Sequence, residues 1–386
     1  MCPTAEKTGM EFETLCLHAN QEKNGYGAIA TPIYQSATFI HEEVGVSSEY
    51  SYSRLSNPTR ARLEKTVAAL ENGAAAFAFS SGMAAISTVM KLFSNGDHVI
   101  ASDDLYGGSL RLFRNVNAEE GMQFDFVDTG NTALVESLMR ENTKAIYVET
   151  PSNPLMHVSD IAALAALAKK YGLLLIVDNT FLTPYYQRPL DWGADIVIHS
   201  GTKYLGGHND TLAGFVVTKT QELADKISYV SKTIGAVLSP FDSFLIERGI
   251  KTLPLRMDRI NSNAKSVAKW LKSRKDVKKV YYIGFEDHEG YGISRKQAKG
   301  FGGMISLEVE SKVLAEQILA KVKIFQYAES LGGVDSLITY PMLQTHADVP
   351  EEERLKKGIN DRFLRISIGI ENEKDLIEDL RQAFEQ

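Results

Sequence analysis

From about residue 60 to residue 220, short apolar runs alternate with longer amphipathic stretches, and no other feature restricts the fold so tightly. The runs are Ala75–Phe79, 98–101, 145–148, 173–177, 195–198 and 215–217. Runs this short, apolar on both faces, suit strands buried in a sheet that helices cover on either side. The segments between them, such as Ile161–Tyr171, have helical length and period. Strand–helix alternation predicts a mostly parallel α/β sheet, whose ligands bind at the carboxyl ends of its strands.

A helical stretch over 241–275, interrupted by Pro254, reads as a connector into a smaller α/β unit. That unit is expected to hold strands at 278–283, 303–309 and 363–368, with helices at Lys312–Lys321 and 373–384. The first fifty residues show little periodicity and many turn formers, including Gly25-Tyr26-Gly27, and read as an arm that lies on something else, such as another subunit. The expected division is an arm over 1–55, a large domain over 56–240 and a C-terminal domain with its connecting helix over 241–386.

Composition narrows the setting. The chain has 386 residues, 44% hydrophobic and 24% charged, with no apolar run near the ~20 residues that a membrane helix needs. Glu6, Lys7, Glu11 and Glu13 leave no apolar core for a signal peptide. The net charge of −7 argues against nucleic acid or an anionic membrane as partner. Cys2 and Cys16 formally allow one disulfide, but two cysteines in so long a chain point to a reducing, cytoplasmic setting. The run Pro350-Glu351-Glu352-Glu353-Arg354-Leu355-Lys356-Lys357 reads as a solvated helix start with Glu353 and Lys357 at favourable i,i+4 spacing.

Four segments follow apolar strands and carry chemistry. Asp178 comes directly after Leu174-Leu175-Ile176-Val177; taken alone, it reads more readily as a helix cap or half of a buried ion pair. About twenty residues later, Lys203 follows a second apolar strand among Ser200, Gly201 and Thr202. A lone lysine is nearly always a solvated charge, yet one at a strand end among hydroxyls suits a partly desolvated amine able to form a Schiff base. Ser80-Ser81-Gly82-Met83-Ala84-Ala85 leads from a strand into a helix, whose free N–H groups suit phosphate, although close packing by small residues explains it as well. Tyr106, past the strand that ends near Ser102, is either a platform for a flat ring or a buried tyrosine. Phosphate cradle, flat-ring platform, acid and lysine together are the parts of a pyridoxal-phosphate site.

The order and wording of these segments resemble the Cys/Met-metabolism family of pyridoxal-phosphate enzymes, the cystathionine γ-synthase and lyase group. The resemblance runs from Thr31-Pro32-Ile33-Tyr34-Gln35 to the last strand. It includes Tyr52-Ser53-Arg54, Asn57-Pro58-Thr59, Glu149-Thr150-Pro151-Ser152-Asn153-Pro154, Asp178-Asn179-Thr180, Ser200-Gly201-Thr202-Lys203-Tyr204 and Glu329-Ser330-Leu331-Gly332-Gly333. It implies the aminotransferase-like fold type I, with 56–240 as the cofactor domain, and pyridoxal 5'-phosphate as cofactor. By the resemblance Lys203 carries the cofactor and shuttles protons, Asp178 pairs with the ring nitrogen, and Tyr106 stacks on the ring. Ser81, Gly82, Met83, Ser200 and Thr202 hold the phosphate, and Thr180 joins the cofactor site. Tyr52 and Arg54 enter a neighbouring subunit's phosphate site, within a homotetramer built as a dimer of catalytic dimers. Arg365 clamps the substrate α-carboxylate with Asn153 and Ser330, while Arg111 and Glu329 meet the far end of a cystathionine-sized ligand.

Within that group, the segment Ser336-Leu337-Ile338-Thr339-Tyr340-Pro341 and Gln344-Thr345-His346-Ala347-Asp348 look most like synthase-type enzymes. Methionine γ-lyases usually carry a cysteine shortly after the stacking tyrosine, where this chain has Gly108. The first expectation is therefore γ-replacement of an O-acylhomoserine by cysteine, and the second a cystathionine γ- or β-lyase. A non-catalytic scaffold on the same fold is the reading from another class. His199, His208 and His346 fit no metal-ligand spacing, so no metal is expected.

Overall fold

The computed structural model describes residues 9–19, 26–46, 48–344 and 349–385. Cys2, Gly25 and the Thr345-His346-Ala347-Asp348 segment lie outside the described residues. Seven strands form the first sheet: β1 (Ala75–Phe79), β2 (His98–Ser102), β3 (Gln123–Val127), β4 (Thr143–Glu149), β5 (Leu174–Asp178), β6 (Ile196–Ser200) and β7 (Gly214–Thr218). Their order is β1-β7-β6-β5-β4-β2-β3, and every neighbouring pair is parallel except those made by β7. The apolar runs read from the sequence account for six of these strands. β3 was missed because it is an edge strand with Gln123 exposed and Phe124, Asp125 and Phe126 only half-buried, so it lacks a two-sided apolar run.

Local chemistry sets the elements between the strands. The helix Ile161–Tyr171 begins where the Asp160 side chain accepts from Ala163 N, and ends at Gly172 with φ +69. A carboxylate at the N-cap satisfies a free N–H, and a left-handed residue after the last turn suits glycine. Leu164, Leu167 and Ala168 face the sheet, one helical stripe against strands buried on both faces.

The topology selects one crevice. From β2 the chain moves outward to β3, then returns to β4 on the other side of β2 and proceeds through β5 and β6. The β2–β4 gap is thus the point where the direction of winding reverses, and such a point opens a crevice beyond the strand ends. β1 runs parallel to β6, because both are antiparallel to β7, so Ser80 and Ser81 leave β1 at that same edge.

The second sheet contains β8 (Val277–Tyr281), β9 (Met304–Val309), β10 (Gln326–Tyr327), β11 (Leu337–Thr339) and β12 (Phe363–Ser367). Its order is β10-β11-β12-β9-β8, antiparallel apart from β10 with β11. The connector is two helices, Pro240–Ile250 and Leu253–Lys272, with Pro254 in the first turn of the second. Proline is tolerated there because the first-turn N–H has no partner within the helix.

Two expectations need correction. Glu353 and Lys357 do not pair: Glu353 meets Arg114 at 2.9 Å, and Lys357 Nζ donates to Asp103 O. Both side chains therefore tie the helix Glu351–Lys356 to the segment after β2, and the i,i+4 pair that forms on the helix is Glu352–Lys356 at 2.8 Å. The arm is also less featureless than expected, because Phe12–His18 is a helix that buries Phe12, Leu15 and Cys16. Beyond it, Tyr26, Ile29 and Ile40 are more than nine-tenths exposed, at 96%, 97% and 91%. Among the described residues no helix is long and apolar enough to cross a membrane.

Behind the ends of β5 and β6 lies a buried polar cluster. Glu71 Oε1 is 2.6 Å from His199 Nε2 and accepts from Asn179 Nδ2 at 3.1 Å, and all three residues are fully enclosed. Asn179 Nδ2 also donates to Gln187 O at 2.7 Å, so it keeps a partner if Glu71 is removed, whereas His199 Nε2 does not. A buried polar group left without its partner costs about 1–3 kcal/mol. Glu71→Ala is expected to lower the stability of the cofactor-free protein by that amount in urea unfolding, and Glu71→Gln by clearly less. An unchanged midpoint in Glu71→Ala would show that the cluster contributes nothing.

Candidate active site

The carboxyl ends of the first sheet and residues of the second unit line a cavity of about 320 Å³. Ser81, Gly82 and Met83 reach its wall from β1, Asp178 and Thr180 from β5, and Ser200, Thr202 and Lys203 from β6. Tyr106 and Asn153 contribute from the segments after β2 and β4, and Glu329, Ser330 and Arg365 from the second unit. A somewhat larger hollow of about 390 Å³ beside β8 is lined by Lys278 and His288 and shares none of these strand-end residues. Convergence of strand ends, rather than volume, identifies the site.

Lys203 sits on the return over 201–213 between β6 and the antiparallel β7. Ser200 and Gly214 are register partners at its feet, Thr202 Oγ1 accepts from Ala213 N at 3.0 Å, and Gly207 N donates to Lys203 O at 2.7 Å. Buried Arg256 donates to Tyr204 O at 2.7 Å and to Gly249 O at 2.8 Å, clamping the return onto the helix Pro240–Ile250. The amine donates to Ser330 Oγ at 2.8 Å. Burial, then the neighbouring Arg365 cation, bring the Lys203 amine down to about 8, against a smaller opposing pull from Glu329. About a tenth of such an amine is unprotonated at neutral pH, far more than for an ordinary lysine.

The phosphate-type corner is built from close backbone approach. Ser81 caps the helix Gly82–Met90, its Oγ accepting from Ala84 N at 3.1 Å. A Cβ at Gly82 would lie 3.0 Å from Ser200 Cβ, and one at Gly214 would lie 2.0 Å from Ser81 O. Only glycine allows β1, β6 and the helix start to crowd together here. A nine-residue helix opening onto hydroxyls at this edge suits an anionic group.

Asp178 and Glu149 are register partners at the ends of β5 and β4. Asp178 Oδ1 accepts from Thr180 N at 3.0 Å and Thr180 Oγ1 at 2.6 Å, leaving Oδ2 without a protein donor among the described residues. Burial raises the Asp178 carboxyl while the Thr180 bonds oppose the shift, so a cation beside Oδ2 would be strongly favoured. Glu149, a cavity residue missed by the sequence reasoning, accepts from Tyr106 N at 2.9 Å. It stood in a recognised motif, but its place beside Asp178 depends on strand register, which the local sequence does not reveal.

Arg365 is 2% exposed and makes no bond to a carboxylate among the described residues. It donates to Asn153 Oδ1 at 2.9 Å, Ser330 O at 3.1 Å and Thr339 Oγ1 at 3.3 Å. Ser330 has φ +93, an uncommon backbone for a residue with a side chain, and this turn gives its carbonyl to Arg365 and its hydroxyl to Lys203. Burial brings the Arg365 guanidinium down to about 10. The structure therefore holds a buried cation with neutral partners alone, a site that a carboxylate would complete.

Three expected site residues are not on this wall. Arg111 is exposed on the helix Gly107–Arg111. Tyr52 and Arg54 lie together, the guanidinium 5.4 Å from the ring centroid, and Arg54 donates to Lys232 O at 2.5 Å. His199 is enclosed against Glu71, and His208 Nδ1 lies 2.7 Å from Gly206 O. Among the described residues no group of His, Cys, Asp and Glu could hold a metal ion.

Residues 13–385 match the model of a family described as Cys/Met metabolism PLP-dependent enzyme. The chain is 49% identical to the cystathionine gamma-lyase of Bacillus subtilis, over 97% of this chain and 100% of that protein. It is 47% identical to the cystathionine gamma-synthase of Haemophilus influenzae, over 97% of each chain. A crystal structure of cystathionine gamma-lyase from Lactobacillus plantarum, complexed with L-serine, superposes with a TM-score of 0.95 at 47% identity, covering 97% of this chain and 98% of that one.

The Tyr106 ring lies over the turn that holds Gly108. A Cβ there would meet Tyr106 Cε1 at 2.5 Å and Met83 Sδ at 3.0 Å, so Gly108→Ala must displace the ring. Aromatic stacking contributes about 0.5–1.5 kcal/mol, so affinity for pyridoxal phosphate is expected to fall about three- to tenfold. Titration of apoprotein by visible absorbance measures this, and wild-type affinity in the variant would mean that the ring contributes nothing to cofactor binding.

Proposed function

Because the chain belongs to the Cys/Met metabolism family of PLP-dependent enzymes, we propose that its cavity makes or breaks the carbon–sulfur bond of a cystathionine-sized amino acid. The observation that carries this reading is buried Arg365, short of an anion, beside the partly desolvated amine of Lys203. An amino-acid carboxylate fits the first, with Asn153 and Ser330 flanking it, and a covalently held cofactor the second. Bound pyridoxal phosphate supplies an electron sink for charge developing next to the substrate amino group.

The residues divide the remaining work. Ser81, Gly82, Met83, Ser200 and Thr202 hold the phosphate with hydroxyls and helix-start N–H groups, and Tyr106 packs on the ring. Asp178, braced by Thr180, offers Oδ2 to a cationic ring nitrogen. Lys203 Nζ takes a proton from the substrate carbon and returns it, with Ser330 Oγ holding the amine between transfers. Glu329 is exposed at the cavity wall and suits a distal ammonium, present both in cystathionine and in cysteine as incoming thiol.

Replacement of the acyloxy group of an O-acylhomoserine by cysteine is the first reading. Cleavage of cystathionine, at its γ or β carbon, is the second, favoured by the name of the Bacillus subtilis relative. A cytoplasmic setting suits Cys16, the free cysteine among the described residues, whose thiol burial pushes up to about 12. Product analysis with cystathionine alone, methionine alone, and acylhomoserine plus cysteine tests the reading. Turnover of the third mixture or of cystathionine is expected, with Lys203→Ala folded, inactive and no longer fixing cofactor under borohydride. Turnover of methionine alone would overturn it.

The assembly we propose is a homotetramer of two catalytic dimers with shared sites. Its support is that Tyr52 and Arg54 lie off their own chain's cavity, on an arm that leaves Tyr26, Ile29 and Ile40 exposed. Isolated Arg54→Ala and Lys203→Ala variants are expected to be inactive, and their mixture to regain activity, since a hybrid dimer holds one intact site. No recovery despite proven subunit exchange would rule out sharing.

A further inference from the structure

Glu149 is a buried titratable group that the mechanism above leaves unused. It ends β4 as Asp178 ends β5, in register on neighbouring parallel strands, and both residues line the cavity. Register partners present their side chains to the same face of a sheet, so the two carboxyls stand side by side. Their donors are unequal: Asp178 has two from Thr180, whereas Glu149 has the single backbone N–H of Tyr106. Glu149 is only 7% exposed.

The other charged or titratable neighbours do not redress the balance. Asp104, from the segment after β2, is a third buried carboxyl and accepts from Ser152 Oγ and Leu155 N, neither of which reaches Glu149. Arg365, from β12, lies close enough to act on Glu149 but directs its bonds to Asn153, Ser330 and Thr339. Tyr147, two residues earlier on β4, is fully enclosed and has its hydroxyl held neutral by burial. Two adjacent buried carboxyls cannot both ionise cheaply, and the proton settles on the one with fewer donors.

We propose that Glu149 carries a proton in the working enzyme and is a neutral positioning residue, holding the Tyr106 backbone through Oε2 while the pair's negative charge stays on Asp178. Burial first, and the field of Asp178 second, push the Glu149 carboxyl well above the usual range, in agreement with this geometry. The inference rests on the cofactor reading above in one respect: a cationic ring nitrogen beside Asp178 draws the charge to the same carboxyl.

The test uses holoenzyme. Infrared difference spectra should show the carbonyl stretch of a protonated carboxyl that disappears in Glu149→Gln. The pH titration of the cofactor's visible absorbance in Glu149→Gln should superimpose on the wild-type curve, because one neutral group replaces another. Absence of the band, or a midpoint displaced by about one pH unit or more, which is the scale of a lost charge interaction, overturns the proposal. Glu149→Leu should raise the cofactor dissociation constant about tenfold, as expected for a lost buried hydrogen bond, with Glu149→Gln restoring it. Wild-type affinity in the leucine variant would remove the positioning role; if that variant does not fold, the infrared and titration results decide. A wild-type protein without cofactor absorbance would instead sink the cofactor reading itself.

Discussion

The buried guanidinium of Arg365 is the constraint around which the cavity is arranged. A guanidinium keeps its proton even where burial penalises the charge, so the surroundings must supply acceptors. Here they come from both sheets: Asn153 belongs to the segment after β4, while Ser330 O and Thr339 Oγ1 belong to the second unit. The seam between the sheets is thereby fixed where an incoming anion would bind. Ser306 Oγ, on the register partner of Arg365, donates to Pro154 O at 2.7 Å and fastens the same seam one strand over.

Both signs of charge reach the cavity from each side of this seam. The first sheet brings the carboxyls of Asp178 and Glu149 and the amine of Lys203, and the second unit brings Arg365 and Glu329. Lys203 lies between, feeling Arg365 and Glu329 at once. An amino acid carries its own separated charges, and a cationic heterocycle would need the carboxylate of Asp178. The two halves of the cavity therefore suit different parts of the ligand set, which explains why neither sheet alone makes a site.

Much of this was legible in the sequence, and the reasons differ by residue. β2, β4, β5 and β6 are buried on both faces, so their apolar runs announce them, and whatever polar residue follows must stand at the sheet edge. Asp178 and Lys203 were found that way. β11 has only three residues and β10 two, too short for any period to show, and β3 carries the mixed faces of an edge strand. Glu149 gains its significance from lying opposite Asp178, and register between strands 29 residues apart is a property of the sheet, not of either segment. The expected Glu353–Lys357 pair failed for a related reason: helix spacing allowed it, but tertiary partners at Arg114 and Asp103 drew both side chains away.

The reversal of β7 has a mechanical corollary. In an all-parallel sheet, the residues after β6 would lead into a crossover that carries the chain back to the opposite edge of the sheet before the next strand. Because β7 runs back beside β6, the lysine instead stands on an arch over 201–213 whose feet are locked by Ser200 opposite Gly214 and by Thr202 against Ala213, with Arg256 as a brace from behind. The backbone is a fixed pivot, and the travel of the amine comes from the rotatable bonds of its own four-carbon stem. Its reach is a disc of side-chain rotamers swept about a stationary Cα, so the amine can change partners within the cavity without any motion of the sheet that carries it.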